Sequence, residues 1–212
     1  MSDTLLKRLD YARATLSEDD VGVSPLALFR RWISEAEAGG VAEPAAMSLC
    51  TVSPDGQPSS RIVLLRGAEE DFFRFFTNYD GKKARDISHN PRVALLFFWP
   101  ALERQIRIEG IASKCERAIS ETYFAGRPRE SQLGAWASTQ SCEVPGRAEL
   151  EQCFAEVSAR YEGKHVPCPP HWGGYDVRPQ RYEFWQGRSG RLHDRLSFDR
   201  TDAGWRRARL AP

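Results

Sequence analysis

Glu183-Phe184-Trp185-Gln186-Gly187-Arg188-Ser189-Gly190-Arg191-Leu192-His193-Asp194-Arg195 carries the densest chemistry in the chain. Its front half alternates as a strand does, with Tyr182 and Phe184 on one face and Glu183 and Trp185 on the other. Gln186-Gly187-Arg188-Ser189-Gly190 then has the composition of a hairpin turn. A return strand starting at once places Arg191, His193 and Arg195 on one face, opposite Leu192 and Asp194. Two guanidiniums flanking an imidazole repel one another and are costly to bury unpaired, which points to an anionic partner. A solvated strand edge with surface ion pairs accounts for the same spacing.

Four strand-like segments, 45–52, 60–66, 72–78 and 92–99, precede a long alternating strand over 102–115. Ser53-Pro54-Asp55-Gly56 joins the first two as a tight turn. One helix, 82–88, interrupts the series between Asp80-Gly81 and Asn90-Pro91. Many antiparallel strands with few helices describe an α+β fold, a barrel with helices packed at its periphery. Ahead of it, Ser24-Pro25 is an N-cap and first-turn pair for an amphipathic helix built on Leu28, Phe29, Trp32, Ile33 and Ala36, which Gly39-Gly40 ends. Helices are also expected over 116–124, 133–138 and 147–163, the last with Leu150, Cys153, Phe154, Val157 and Tyr161 as its packing stripe. The expected organisation is a flexible N-terminal arm over 1–23 and a single domain over 24–212.

Composition narrows the function. Lys+Arg 30 against Asp+Glu 29 gives a net charge of +1, so nothing global attracts nucleic acid or an anionic membrane, and any anion site is local. No apolar run approaches the ~20 residues of a membrane span and no signal peptide is evident, so a cytoplasmic location is expected. Five cysteines without a C-x-x-C and four histidines without an i, i+4 pair fit reduced thiols and no metal centre.

Local anion sites are not hard to find. Lys82 and Lys83 stand in the first turn of their helix, where cations oppose the helix dipole and a phosphate would relieve the conflict; a solvated basic turn is the alternative. In Ser60-Arg61-Ile62-Val63-Leu64-Leu65-Arg66, alternation sends Arg61 and Arg66 to opposite faces. Tyr123, Arg127 and Ser131 are spaced by four and would share a helical face if the helix ran through Pro128.

Glu183-x-Trp185 followed by Arg191-Leu192-His193-Asp194-Arg195 resembles the signature of the pyridoxine (pyridoxamine) 5'-phosphate oxidases, FMN enzymes that make pyridoxal 5'-phosphate. Similar matches run from Arg8 to Pro212 in consistent order: Arg8 and Tyr11, the block from Arg61 to Arg66, Phe76-Thr77-Asn78, Glu103-Arg104-Gln105, the block from Tyr123 to Ser131, Gln140-Ser141, and Trp172-Gly173-Gly174. Two positions depart from the family pattern: Arg66 replaces a lysine, and Phe76 replaces a tyrosine and its phenol.

The resemblance implies an FMN-binding split β-barrel, antiparallel and Greek-key-like, in a homodimer with FMN at the subunit interface. It implies FMN contacts from Arg61, Ile62, Val63, Leu64, Leu65, Arg66, Phe76, Thr77, Lys82, Lys83, Gln105, Gln140, Ser141, Trp185 and Arg195. Substrate contacts fall to Arg8, Tyr11, Arg66, Tyr123, Arg127, Ser131, Arg191, Leu192 and His193, with Arg191 and His193 beside the reacting ring. The activity implied is oxidation of pyridoxamine 5'-phosphate and pyridoxine 5'-phosphate by O2, releasing H2O2. Two rivals share these features, namely a same-fold flavin oxidase acting on another aromatic such as a phenazine precursor, and a non-catalytic FMN- or pyridoxal-phosphate-binding module.

Overall fold

The computed structural model describes residues 10–212; Arg8, expected at the substrate, lies outside them. Five helices and nine strands follow in the order α1 (Pro25–Ala38), β1 (Ala46–Val52), β2 (Pro58–Leu64), β3 (Gly67–Glu69), β4 (Phe72–Asn78), α2 (Lys82–His89), β5 (Arg92–Trp99), β6 (Arg104–Lys114), α3 (Arg117–Ala125), α4 (Arg129–Ala137), α5 (Arg147–Arg160), β7 (Trp172–Gln186), β8 (Asp194–Thr201) and β9 (Gly204–Arg209). Neighbouring strands run β2-β1-β5-β6-β7-β4-β3, with β8 on β7 and β9 on β8. The chain divides into two compact units. One holds the described residues up to Ser48 with Ala94–Gly110 and Pro179–Pro212; the other holds Leu49–Val93 and Ile111–Arg178.

In the first unit the expected capping holds, since the Ser24 hydroxyl accepts from the Ala27 N–H and opens α1. The apolar face of α1 is core: Phe29 meets Phe97 at 5.2 Å and Trp32 meets Phe184 edge-on at 5.4 Å. Tyr182 and Phe184 of β7 are fully buried and stack at 6.1 Å, as a shared face requires, while Glu183 between them is buried as well. β7 pairs antiparallel with β8 from Arg181↔Asp199 to Gln186↔Asp194.

The return strand differs from its expected reading. Ser189–Arg191 is a 3-10 turn in which Gly190 and Arg191 both take left-handed backbone, with φ of 64° and 61°. That turn consumes the residues up to His193, and β8 begins only at Asp194. Arg191, His193 and Arg195 therefore do not share a strand face.

In the second unit, β4 pairs antiparallel with β7 from Phe73↔Val177 to Asn78↔Trp172. Phe124, Leu133, Tyr161, Val166 and Trp172 form a core cluster beneath the helices. The expected separate helices on either side of Pro128 are present as α3 and α4, with α4 starting at Arg129 and not at 133, and the condition of one helix running through Pro128 is not met because proline lacks the N–H and φ freedom to continue α3. The expected stripe of α5 is also shallower than its pattern suggests: no residue of the helix is fully buried, Leu150 is 39% exposed, and Tyr161 just past its end enters the core.

Candidate active site

A cleft of about 850 Å³ opens in the second unit, within the ordinary range for small-molecule sites. Arg61, Ile62, Val63 and Leu64 of β2 line it, followed by Arg66, by Phe76, Thr77 and Asn78 of β4, and by Lys83 of α2. Tyr123, Arg127, Pro128, Ser131, Gln140 and Trp172 complete most of the remaining wall. Among the described residues the lining thus carries four cations and no carboxylate. Arg61 and Arg66, expected on opposite faces, reach the same cleft because β2 ends at Leu64 and Arg66 lies beyond it, its N–H donating to the Arg74 carbonyl at 2.7 Å. Tyr123, Arg127 and Ser131 reach one wall although the helix between them is broken.

Each cation sits differently. The Arg61 guanidinium donates to the Leu49 carbonyl at 3.1 Å and to the Thr51 and Ser59 hydroxyls at 2.7 and 2.5 Å. Both hydroxyls in turn donate hydrogen bonds to Asp86 Oδ2, at 2.7 and 3.3 Å. Burial pushes the Asp86 carboxyl up, but hydrogen bonds from Thr51 and Lys82 outweigh it and leave the group below its usual value. Lys82 turns to Asp86 at 3.2 Å and does not line the cleft, so its charge is answered within its own helix. Lys83 does line it, donating to Gln140 Oε1 at 2.7 Å. Burial first, and the Arg61 charge second, hold the Lys83 ammonium below the ordinary lysine value.

Arg127 lies least satisfied. Its Cζ stands 4.6 Å from the Trp172 ring and 5.5 Å from that of Phe124, and its Nη1 is buried without a hydrogen-bond partner among the described residues. Burial pushes its guanidinium below the usual arginine value. A buried donor without an acceptor is expensive, and an incoming anion would supply the acceptor. Beside it Phe76, Tyr123 and Trp172 lie nearly parallel, with Phe76 and Tyr123 at 3.9 Å and 5°.

Gln140 lines the cleft, and Ser141 beside it meets the start of α2. The Ser141 hydroxyl accepts from the Lys82 N–H at 3.1 Å, and Ser141 takes left-handed backbone at φ 69° to do so. Gly81 permits the approach of Gln140, whose Oε1 would lie 2.4 Å from a Cβ at that position.

The first unit carries the second group of expected site residues. His193 packs on Trp185 at 4.7 Å, and Tyr11 meets both rings, at 5.7 Å from Trp185 and 5.9 Å from His193. The Arg188 N–H donates to His193 Nδ1 at 3.1 Å, so a neutral ring carries its hydrogen on Nε2. Arg195 donates to Glu183 Oε1 at 2.9 Å, and Arg107 to Glu183 Oε2 at 3.2 Å, which neutralises a buried carboxylate. Arg191 and Leu192 are exposed, Leu192 at 74%. Gln105, at the start of β6, is half-buried.

Sequence reasoning missed Trp172 and Asn78 as cleft residues and the Thr51-Ser59-Asp86 support behind Arg61. Only the i, i+4 pairing of Lys82 with Asp86 was available to hint at the last.

The donor set fits a phosphorylated, flat aromatic ligand: cations without carboxylates, an unpartnered buried guanidinium nitrogen and a wall of parallel rings. The fold is that of the split-barrel proteins. PhzG from Burkholderia lata 383, solved in complex with tetrahydrophenazine-1-carboxylic acid, superposes with a TM-score of 0.87 at 32% identity, covering 93% of this chain and 98% of its own. A pyridoxamine 5'-phosphate oxidase-related, FMN binding protein from Nostoc punctiforme gives 0.70 at 17% identity, covering 90% and 99%. Residues 33–161 match the family model for pyridoxamine 5'-phosphate oxidase, and residues 172–212 that for the pyridoxine 5'-phosphate oxidase C-terminal dimerisation region. The pyridoxine/pyridoxamine 5'-phosphate oxidase of Rubrobacter xylanophilus is 56% identical over 205 residues, 97% of this chain and 94% of its own, and that of Leptospira biflexa 54% over the full length of both. The chain belongs to the pyridoxamine 5'-phosphate oxidase family and is an enzyme of it.

Proposed function

We propose that the protein oxidises pyridoxamine 5'-phosphate and pyridoxine 5'-phosphate to pyridoxal 5'-phosphate, with FMN as cofactor, O2 as electron acceptor and H2O2 as by-product. The observation that carries this reading is the cleft of four cations and no carboxylate, in which Arg127 Nη1 is buried without an acceptor. FMN, when bound, supplies the hydride acceptor for the C4' carbon and the route to dioxygen. The chain's task is to bind and orient. Arg61, Lys83, Thr77, Gln140 and Ser141 would hold the cofactor, with Lys82 neutralised by Asp86 and so contributing mainly its backbone N–H. Arg66, Tyr123, Arg127 and Ser131 would hold the substrate phosphate.

Gln105, Trp185 and Arg195 are assigned to the flavin, and Arg191, Leu192 and His193 to the substrate ring, with Tyr11 covering it. In this reading His193 acts as a donor through Nε2, because its Nδ1 is committed to the Arg188 N–H. Arg191 supplies an exposed cation on a rigid left-handed turn, aimed at a polar substituent of the ring. We further propose a homodimer in which both chains line each site. The match of residues 172–212 to a dimerisation region supports it, since that stretch holds Trp185, Arg191, His193 and Arg195. Five free thiols suit the reducing cytoplasm as the place of action.

The structural likeness to PhzG keeps a phenazine-type substrate as the second reading. Oxygen uptake by the flavin-loaded protein, with pyridoxamine phosphate, pyridoxine phosphate and a non-phosphorylated phenazine precursor, decides between them. Turnover with the phosphorylated vitamers alone is expected. Turnover only with the phenazine precursor, or with none of them, overturns the proposal.

A further inference from the structure

Arg127 lies within a helix break and Ser131 in the first turn beyond it, and a residue that does not line the cleft bonds across that break. α3 ends at Ala125 and α4 begins at Arg129, so residues 126–128 carry Arg127 on a short connection. Such a junction leaves the last carbonyls of α3 without helical partners, and they must be satisfied or hydrated. Gln132, only 9% exposed in the first turn of α4, reaches back across the break. Its Nε2 donates to the Phe124 carbonyl at 3.0 Å and to the Ala125 carbonyl at 3.1 Å. Both partners are acceptors only, which fixes the amide with its nitrogen toward α3. The Arg127 N–H donates to the same Phe124 carbonyl at 3.1 Å, so the side chain and the loop backbone meet on one oxygen.

We infer that Gln132 is a positioning residue for the phosphate-binding wall: it locks the break so that Arg127 stays pressed between Phe124 and Trp172 and Ser131 stays beside it. This rests on the phosphate assignment made above for Arg127 and Ser131. A half-buried cation whose Nη1 has no partner among the described residues gains by swinging into water, and a rigid connection works with the Trp172 and Phe124 ring contacts against that. Arg129 fixes the other side of the same turn, donating to the Lys164 and Tyr161 carbonyls at 3.0 and 2.5 Å. With α4 anchored there, the amide of Gln132 ties its first turn directly to the end of α3, beside the packing of Phe124 on Leu133 in the shared core cluster.

The test compares Gln132→Met, which keeps the volume and loses the donors, with the wild-type flavin-loaded protein. Met47→Ala, a core change at a residue that is not among those lining the cleft, serves as a control for simple loss of stability. Tryptophan fluorescence reads the binding of pyridoxal 5'-phosphate, inorganic phosphate and unphosphorylated pyridoxal, and steady-state assays read KM and kcat. Gln132→Met is expected to weaken both phosphate ligands and raise the KM for pyridoxamine 5'-phosphate about tenfold, equivalent to about 1.4 kcal/mol. Pyridoxal affinity, kcat and flavin content should match wild type. If Gln132→Met lowers the melting temperature as Met47→Ala does but leaves phosphate affinity and KM unchanged, Gln132 is structural only and the inference fails. Should the methionine variant not fold, Gln132→Asn, which keeps the amide but shortens its reach, is expected to lose several-fold in phosphate affinity, and an unchanged affinity overturns the inference equally. Wild-type protein that binds inorganic phosphate through this wall but turns over no vitamer phosphate would refute the proposed function while leaving the role of Gln132 to be read from the phosphate titration.

Discussion

Replacing Arg127 by methionine should separate binding from stability. The guanidinium is half-buried against Trp172 at 4.6 Å, with Nη1 lacking a partner among the described residues. An anion in the cleft completes a charge-assisted hydrogen bond there, which contributes about 1.5–3 kcal/mol. The variant should therefore bind pyridoxal 5'-phosphate about 10- to 150-fold more weakly. Stability answers to different terms. Methionine forfeits cation–π contacts of about 0.5–2 kcal/mol, while removing an unsatisfied buried donor returns about 1–3 kcal/mol. These oppose, so the change in unfolding free energy should lie between a loss of about 1 kcal/mol and a gain of about 2.5 kcal/mol. Ligand titration and urea denaturation of the flavin-loaded protein measure the two quantities. A variant that binds the phosphate ester normally but unfolds several kcal/mol more easily would show that Arg127 is a packing residue.

Three further outcomes are expected. Lys83 has its folded pKa below that of the unfolded chain, so its neutral form is favoured on folding and the protein gains stability from this group as pH rises through the folded value toward 10.5. An anionic cofactor needs the charged form, so flavin affinity should fall across the same rise in pH; Lys83→Met should loosen flavin and flatten that slope, and an unchanged slope in absorbance-monitored titrations would remove Lys83 from the flavin site. Arg191→Ala should reduce turnover far more than flavin content, and the reverse pattern would exchange the roles given to the two groups of cations. Arg66→Lys should change kcat/KM by less than about tenfold, or about 1.4 kcal/mol, because the phosphate keeps a cation, and a larger loss would reveal a role for the planar guanidinium.

Where a local rule governed, the sequence was informative. Ser24-Pro25 opens α1, Tyr182 and Phe184 bury one face of β7, and α2 starts at Lys82. Period-two reasoning failed at Arg191 and His193 because two consecutive left-handed residues turn the chain before β8 begins, and only Gly190 signalled it. It also separated Arg61 from Arg66, since a face rule applies only while the strand lasts and β2 stops at Leu64. At Tyr123, Arg127 and Ser131 the shared wall was legible although its helical premise was not: the bend at Pro128 is offset by a tether from Gln132 that spacing alone does not reveal. The support of Arg61 through Thr51, Ser59 and Asp86 joins two strands and a helix, and no single-segment pattern encodes such a meeting.

The near-parallel rings of Phe76, Tyr123 and Trp172 also give the cleft an optical signature of its own. Chromophores 3.9 to 6.2 Å apart in a fixed chiral arrangement couple their electronic transitions, and the circular dichroism of the near ultraviolet records that coupling. A guest that displaces Tyr123 even slightly rewrites the spectrum, so occupancy of this cleft can be followed without a label, a coloured product or turnover.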